Sequence, residues 1–357
     1  MLAAFALSAA VTRLSIGYAR RRRLIDQPGA RRSHAEPTPR GGGIGIVIAA
    51  LALVCAPALA GGSSVIATGA LAIAIVLVAA AGWIDDHRGL AARWRFALHC
   101  LAAAVLLWPI ILPLALIPEL VENATSMSAS GAWLLVAAAA ILIVWFINLH
   151  NFMDGIDGIL AIQAIFVFAA IAVLCARSGA VVHAGQLAIL AAATAGFLPF
   201  NFPRARIFMG DVGSGVLGLL LALAVLWQAA TPRSVFASGL ILCSAFVVDA
   251  SCTLISRMLR GRRWYSAHRE HLYQWLARRG GSHARVVAMY AAWNFLVVVP
   301  VVVWINRDAG AVALQAATPD QGLAAVAGVY LLGVAVWIAG KRLCLNRPRR
   351  QGSHAGA

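Results

Sequence analysis

Apolar residues in this chain come in long unbroken blocks, separated by short stretches rich in arginine, glycine and proline. The blocks run near residues 2–19 (with Arg13 inside), 42–60, 65–84, 96–117, 132–147, 159–176, 186–200, 215–230, 234–255, 286–305 and 322–339. Most approach the roughly 20 residues that a helix needs to cross a hydrocarbon core of about 30 Å. A helix that is apolar all round is not the surface helix of a water-soluble domain. The pattern therefore predicts an all-α, polytopic integral membrane protein with about 11 transmembrane helices. The blocks beginning at 132, 186 and 215 are short and run into polar residues at one end, as expected where helices stop at a watery site. Residues 1–340 read as one polytopic domain and 341–357 as a short basic tail.

Composition sharpens this picture. Of 357 residues, 62% are hydrophobic and 12% charged, about half the charged share of a soluble protein. The six cysteines form no CxxC pair, so neither a disulfide framework nor a zinc knuckle is indicated. A net charge of +16 could serve nucleic acid, anionic lipid or an anionic substrate, and the placement of the arginines decides. With eleven spans the loops alternate: one side carries 25 of the arginines and lysines, the other only Arg177, Arg233 and Arg307. The positive-inside rule makes the basic side cytoplasmic, with the N-terminus periplasmic and the C-terminus cytoplasmic. Basic loops spread along one membrane face suit anionic lipid heads and anionic solutes, not nucleic acid.

Of the 13 carboxylates, Asp26, Glu36, Asp85, Asp86, Asp154, Asp157, Asp211 and Glu270 all fall on that basic side, while Asp249 lies within a span. Asp85 and Asp86 end an apolar helix, and neighbouring carboxylates stay ionised together only beside a cation or a donor. Asn148, Asn151, Asp154 and Asp157 recur every third residue, so in a helix they would share one slowly drifting face suited to a hard cation or a polyhydroxyl ligand. Around Arg204, Arg206, Phe208 and Asp211, the run Gly210-Asp211-Val212-Gly213-Ser214 opens a helix, where glycine backbone and a helix N-terminus favour a phosphate. His268 and His271 sit among arginines and suit a diphosphate or a sugar; with no cysteine or third histidine beside them, zinc is disfavoured. Taken singly, each cluster also fits a solvated helix end or a ligand-free turn, and a single arginine is explained by the positive-inside bias. Together they describe a cytoplasm-facing site for a phosphorylated substrate, with oxygen ligands that point to Mg2+ or Mn2+. The alternative is a membrane transporter of a phosphorylated or lipid-linked substrate. It would carry its polar residues near the midplane in paired repeats, where this chain places only Asp249.

The order of these residues resembles a known family. Arg32-Ser33-His34 with Pro37 to Gly42, then Asp85-Asp86, the Asn148 to Asp157 stripe, Phe208 to Ser214 and His268 to His271 resemble the polyprenyl-phosphate N-acetylhexosamine-1-phosphate transferases (glycosyltransferase family 4) over about residues 30–275. The stretch from Ala267 to Gln274 looks most like the bacterial enzymes that initiate O-antigen or related surface polysaccharides. The resemblance implies Mg2+-dependent transfer of a sugar 1-phosphate from a UDP-sugar donor to undecaprenyl phosphate at the bacterial inner membrane, releasing UMP. It implies that Asp211, with Asp154, ligates the metal, that Asp85 acts as base or positions the acceptor, and that Asp86 supports the site. Asn148, Asn151, Asp154 and Asp157 would line the nucleotide-sugar pocket, with His34, Arg40 and Arg206 also binding substrate. Phe208 would stack on uracil, and His268 and His271 would lie near the diphosphate or sugar. Enterobacterial hexosamine transferases have His-x-His-His where this chain has Glu270 before His271, so the donor stays open between UDP-N-acetylglucosamine and a 6-deoxy relative such as UDP-N-acetylfucosamine. A homodimer is compatible with the sequence, though nothing in it demands one.

Overall fold

The computed structural model describes residues 1–27, 36–55, 64–116, 128–228, 233–262, 268–307 and 319–346. Each of the eleven apolar blocks contains a helix. These are α1 (Leu2–Arg21), α2 (Ile44–Ala50, continued by a π turn, Leu51–Cys55), α3 (Val65–Arg88), α4 (Ala92–Leu116), α5 (Ala129–Met153), α6 (Ile159–Arg177), α7 (Val181–Asn201) and α8 (Asp211–Trp227), then α9 (Arg233–Leu242) and α10 (Ser244–Leu259). A short α11 (Leu272–Arg278) precedes α12 (His283–Trp293), a π turn and α13 (Val299–Ile305), and α14 (Pro319–Asn346) closes the series. Serines start several of them: Ser64, Ser128 and Ser282 each accept an amide of the first turn of α3, α5 and α12.

The expected count of about eleven spans is only partly matched by helix length. Among the described residues eight helices are long and apolar enough to cross a membrane, and a ninth if α9 and α10, bent by 63° about Cys243, are taken as one. The two that fall short are α2 and α8. The reason in α8 is its position: it packs against α2, α3, α5, α6 and α9, so protein rather than lipid surrounds it. Nearly every residue from Val212 to Val225 is buried. Glycines allow these close crossings. A Cβ at Gly82 of α3 would run into the backbone of Asp211 and Val212, and one at Gly218 into the Phe146 carbonyl of α5. The outer helices present leucine and isoleucine outward, such as Leu134, Leu135 and Ile141 on α5 and Leu331 on α14, as a lipid-facing surface requires.

A two-stranded ribbon joins two of the loops. Ile25–Asp26 pairs antiparallel with Thr38–Pro39, and a parallel bridge from Arg40 to Phe208 ties it to the segment that leads into α8.

Candidate functional site

The two aspartates ending α3 have different surroundings. Asp86 points inward, its side chain 1% exposed. Its Oδ1 accepts the Arg40 Nε (2.9 Å), a second Arg40 nitrogen and the Asp211 amide (3.1 Å), while Oδ2 accepts the Val212 amide at 3.2 Å. Asp86 thus caps α8 from another helix, satisfying N–H groups that a helix start leaves bare. Gly210, at φ 76°, has no room for a side chain, because a Cβ would lie 2.5 Å from Asp86 Oδ2. The helix start expected to favour a phosphate is therefore occupied by the protein's own carboxylate. Asp85 faces the other way, accepting the Leu90 amide (2.5 Å) and Arg95 (2.8 Å), and the same Arg95 nitrogen reaches Asp211 at 3.1 Å. Arg95 is a site residue that the sequence reading passed over as one more loop arginine.

Beside this network opens a cavity of about 540 Å³. Its polar wall holds Arg95, Asp211, Asn148, Asn151 and His99, and its apolar wall includes Val78, Phe96 and Phe152. Asn151 donates to Ser214 Oγ at 3.0 Å, and Asn148 lies 3.3 Å from His99 Nδ1. The expected four-residue helical stripe is interrupted: α5 ends at Met153, Asp154 caps it, and Gly158 at φ 76° turns the chain into α6. Only Asn148 and Asn151 share the helix; Gly155 and Gly158 favour the turn over another helical round.

Asp157, in that turn, holds backbone. Its Oδ2 accepts the Ala205 amide at 3.1 Å and lies 3.2 Å from His283 Nδ1, while Gly158 donates to Asn201 Oδ1 at 2.8 Å. Together they fix the 202–208 segment. Phe208 is held there through backbone, its N–H on the Pro39 carbonyl at 2.8 Å, and neither it nor Arg206 lines the cavity. Arg206 stacks over Phe200 (4.9 Å) and donates to the Pro199 carbonyl; exposed Arg204 pairs with Glu36. His268 and His271 have ring centres 4.9 Å apart and flank Phe152, at 6.3 and 6.2 Å, so the pair adjoins the cavity through that ring. Burial, then the charges of His271 and Arg257, pushes His268 down to about 4, so it is neutral at pH 7. Partial burial opposes the charge of Glu270, but Arg262 and Arg257 outweigh it and hold the carboxyl below its ordinary range. His34 lies outside the described residues.

Residues 68–229 match glycosyl transferase family 4. The chain is 34% identical over 336 residues to the decaprenyl-phosphate N-acetylglucosaminephosphotransferase of Mycobacterium leprae, covering 84% of this chain and 82% of that protein. The Mycolicibacterium smegmatis protein of the same name is 33% identical over 81% of this chain and 77% of its own length. A probable undecaprenyl-phosphate N-acetylglucosaminyl 1-phosphate transferase of Bacillus subtilis is 28% identical over 76% of this chain and 75% of its own. The chain belongs to glycosyl transferase family 4. In this family member the matched segment, from α3 through α8, contains every residue named above as lining the cavity.

Whether a divalent metal fits can be judged from the donors. Among the described residues no three His, Cys, Asp or Glu side chains converge as a complete cation site. Magnesium does not need one, since it commonly takes one or two carboxylates and completes its shell with water and substrate phosphates. Asp211 lines the cavity. Asp154 is near enough to feel it: burial, then the negative charges of Asp211, Asp86 and Asp157, raises the Asp154 carboxyl to about 8. An excess of carboxylate oxygen with no thiolate nearby is a donor set suited to a hard cation.

Proposed function

We propose that this protein transfers N-acetylhexosamine 1-phosphate from a UDP-sugar to undecaprenyl phosphate, giving undecaprenyl-diphosphate-sugar and UMP and starting a lipid-linked surface polysaccharide such as O-antigen. UDP-N-acetylglucosamine is the first choice of donor, because the relatives quoted above are named for N-acetylglucosamine transfer. The observation that carries this reading is the two-sided cavity, in which Arg95, Asp211 and two asparagines face an apolar wall. Such a space suits a lipid carrying a phosphate better than a wholly polar solute.

In the reaction an oxygen of the lipid phosphate attacks the β-phosphorus of the donor, a new P–O bond forms, and the bond to UMP breaks. Transfer of this kind depends chiefly on alignment and neutralised charge. Arg95, held by Asp85 and Asp211, supplies fixed positive charge beside the attacking phosphate. Asn148 and Asn151 present amides to the sugar or diphosphate, and neutral His268 offers an uncharged ring nitrogen to the same end. Bound magnesium, held by Asp211 with Asp154, would neutralise diphosphate charge. The lipid phosphate has a second pKa near 6 and is already largely dianionic at pH 7, so Asp85 orients Arg95 and the acceptor rather than removing a proton. The site opens to the cytoplasm from the inner membrane.

The test is UMP release and lipid-linked product from membranes containing the full chain, with undecaprenyl phosphate, magnesium and UDP-N-acetylglucosamine, UDP-N-acetylgalactosamine, UDP-N-acetylfucosamine or UDP-N-acetylquinovosamine in turn. Product from one donor is expected, abolished by chelator and lowered by about a hundredfold or more in Asp211→Asn. Folded protein that neither turns over nor binds any of these donors would overturn the reading and favour a transporter.

A further inference from the structure

Asp249 lies in α10, 2% exposed, and is given no part in the reaction above. A buried carboxylate is costly unless its oxygens are satisfied. Here five donors meet it. Oδ1 accepts the Leu272 amide (2.7 Å), the Trp337 indole N–H (3.1 Å) and the Thr253 hydroxyl (3.3 Å). Oδ2 accepts the Tyr290 hydroxyl (2.6 Å) and the Tyr273 amide (3.2 Å). The two amides are the first two of α11, and the residue before them is His271. Tyr290 comes from α12 and Trp337 from α14, so one carboxylate gathers four helices around the point where the histidine loop enters α11.

The loop is fastened from there. Tyr273 donates through its hydroxyl to the Phe152 carbonyl at 2.9 Å, and Gln274 accepts the His271 amide at 3.3 Å. His271 Nδ1 is buried with no hydrogen-bond partner and lies 3.9 Å from Asp249 Oδ1, too far for a hydrogen bond. Asp249 therefore acts on His271 through the backbone rather than by sharing a proton with its ring. We infer that Asp249 is a positioning residue: by capping α11 from within the bundle, it sets the placement of His268 and His271 against Phe152 at the cavity. This role in catalysis rests on the transferase reading; the placement itself does not.

Two measurements on the full-length protein separate these levels. The first is labelling of histidines by diethyl pyrocarbonate, read residue by residue by mass spectrometry. In Asp249→Asn, which keeps the shape but provides one acceptor oxygen instead of two, labelling of His268 and His271 should rise at least threefold, with exposed His183 unchanged as the internal control. Tyr290→Phe removes a single donor and should move the same two histidines less, in the same direction, which keeps the question answerable if Asp249→Asn does not accumulate. Labelling unchanged in both variants would overturn the proposal. The second measurement is UMP release in a double-mutant cycle. Asp249→Asn and His271→Ala should each lower kcat about tenfold with the KM for the donor little changed, and the double variant should be no worse than the poorer single one. Multiplying losses would mean that Asp249 acts independently of the histidine, and would likewise overturn the proposal. Because labelling needs no substrate, it decides the placement even if no donor is turned over, a result that would instead remove the transferase reading.

Discussion

About 100° of helix rotation separates Asp85 from Asp86, and that rotation divides their work. Asp86 is turned into the bundle, where it pairs with Arg40 and caps α8; Asp85 is turned to Arg95 and the cavity side. Asp86→Asn should therefore act on stability. It leaves the Arg40 guanidinium without its counter-charge at a cost of about 3 kcal/mol, near the low end for a buried pair because the Arg40 side chain is 29% exposed. Thermal unfolding in detergent would read this as a lowered melting temperature. Asp85→Asn should unfold close to wild type yet lose about a hundredfold in activity, and the loss should persist at pH 9, since the acceptor phosphate needs no base above its second pKa of about 6. Recovery of activity at high pH would make Asp85 a general base. At this scale the sequence was informative about which residue types gather, because carboxylates are scarce in so apolar a chain. It was silent on Arg95, one of two arginines in the first turn of α4, because only the tertiary path of the chain reveals which one turns back to the aspartates.

Between elements, a recurring device is a buried carboxylate that caps a helix belonging to another part of the chain. Asp86 of α3 takes the first amides of α8, and Asp249 of α10 takes the first amides of α11. Asp157 does the same for a loop amide at Ala205. Each replaces water or a ligand at groups that would otherwise be bare inside the protein, and each places the start of a segment that carries candidate site residues. Such caps are invisible to spacing, since 125 residues separate Asp86 from Asp211. The same limit explains the broken stripe: three-residue recurrence suggested one helix face from Asn148 to Asp157, while Gly155 and Gly158 ended the helix. The capping of α8 also depends on how closely α3 approaches it, which Gly82 permits. Gly82→Ala should force the two helices apart, lowering stability by about 1–3 kcal/mol and activity by about tenfold or more. Gly69→Ala, on the same helix with no atom within 4 Å of the new carbon, should be neutral or stabilising by up to about 1 kcal/mol. If both variants lose activity alike, the close crossing is not what matters.

Across the whole molecule, the contacts between loops fix how the chain must run. Tyr18 near the end of α1 lies within hydrogen-bond distance of His87 at the end of α3, and Arg40 before α2 meets Asp86, so α2 and α3 together leave this end and return. Asp211 at the start of α8 meets Asp86 and Arg95, while Arg257 at the end of α10 pairs with Glu270 beside His271, which stacks near cavity-lining Phe152. The short α8 must therefore go out and the bent α9–α10 pair come back. His283 at the start of α12 sits on Asp157, and Lys341 near the end of α14 donates to the Glu270 carbonyl, which closes the last excursion. These contacts are compatible with the expected eleven spans, while among the described residues eight helices, or nine with α9 and α10 taken as one, have the length and apolarity of a span. The apolar blocks mark α2 and α8 along with the longer helices, but both are shorter than a usual span, and α8 is surrounded by protein. With eleven spans the two chain ends are expected on opposite faces, and the 25 basic residues that the sequence assigns to the loops on the site's side predict that face to be cytoplasmic. A fluorescent protein fused after Ala357 should therefore be bright and alkaline phosphatase at the same point inactive, whereas phosphatase fused after Ser178, at the far end of α6, should be active. Phosphatase activity at Ala357 would turn the aspartate cavity outward, away from any cytosolic UDP-sugar, and would remove the proposed donor from its reach.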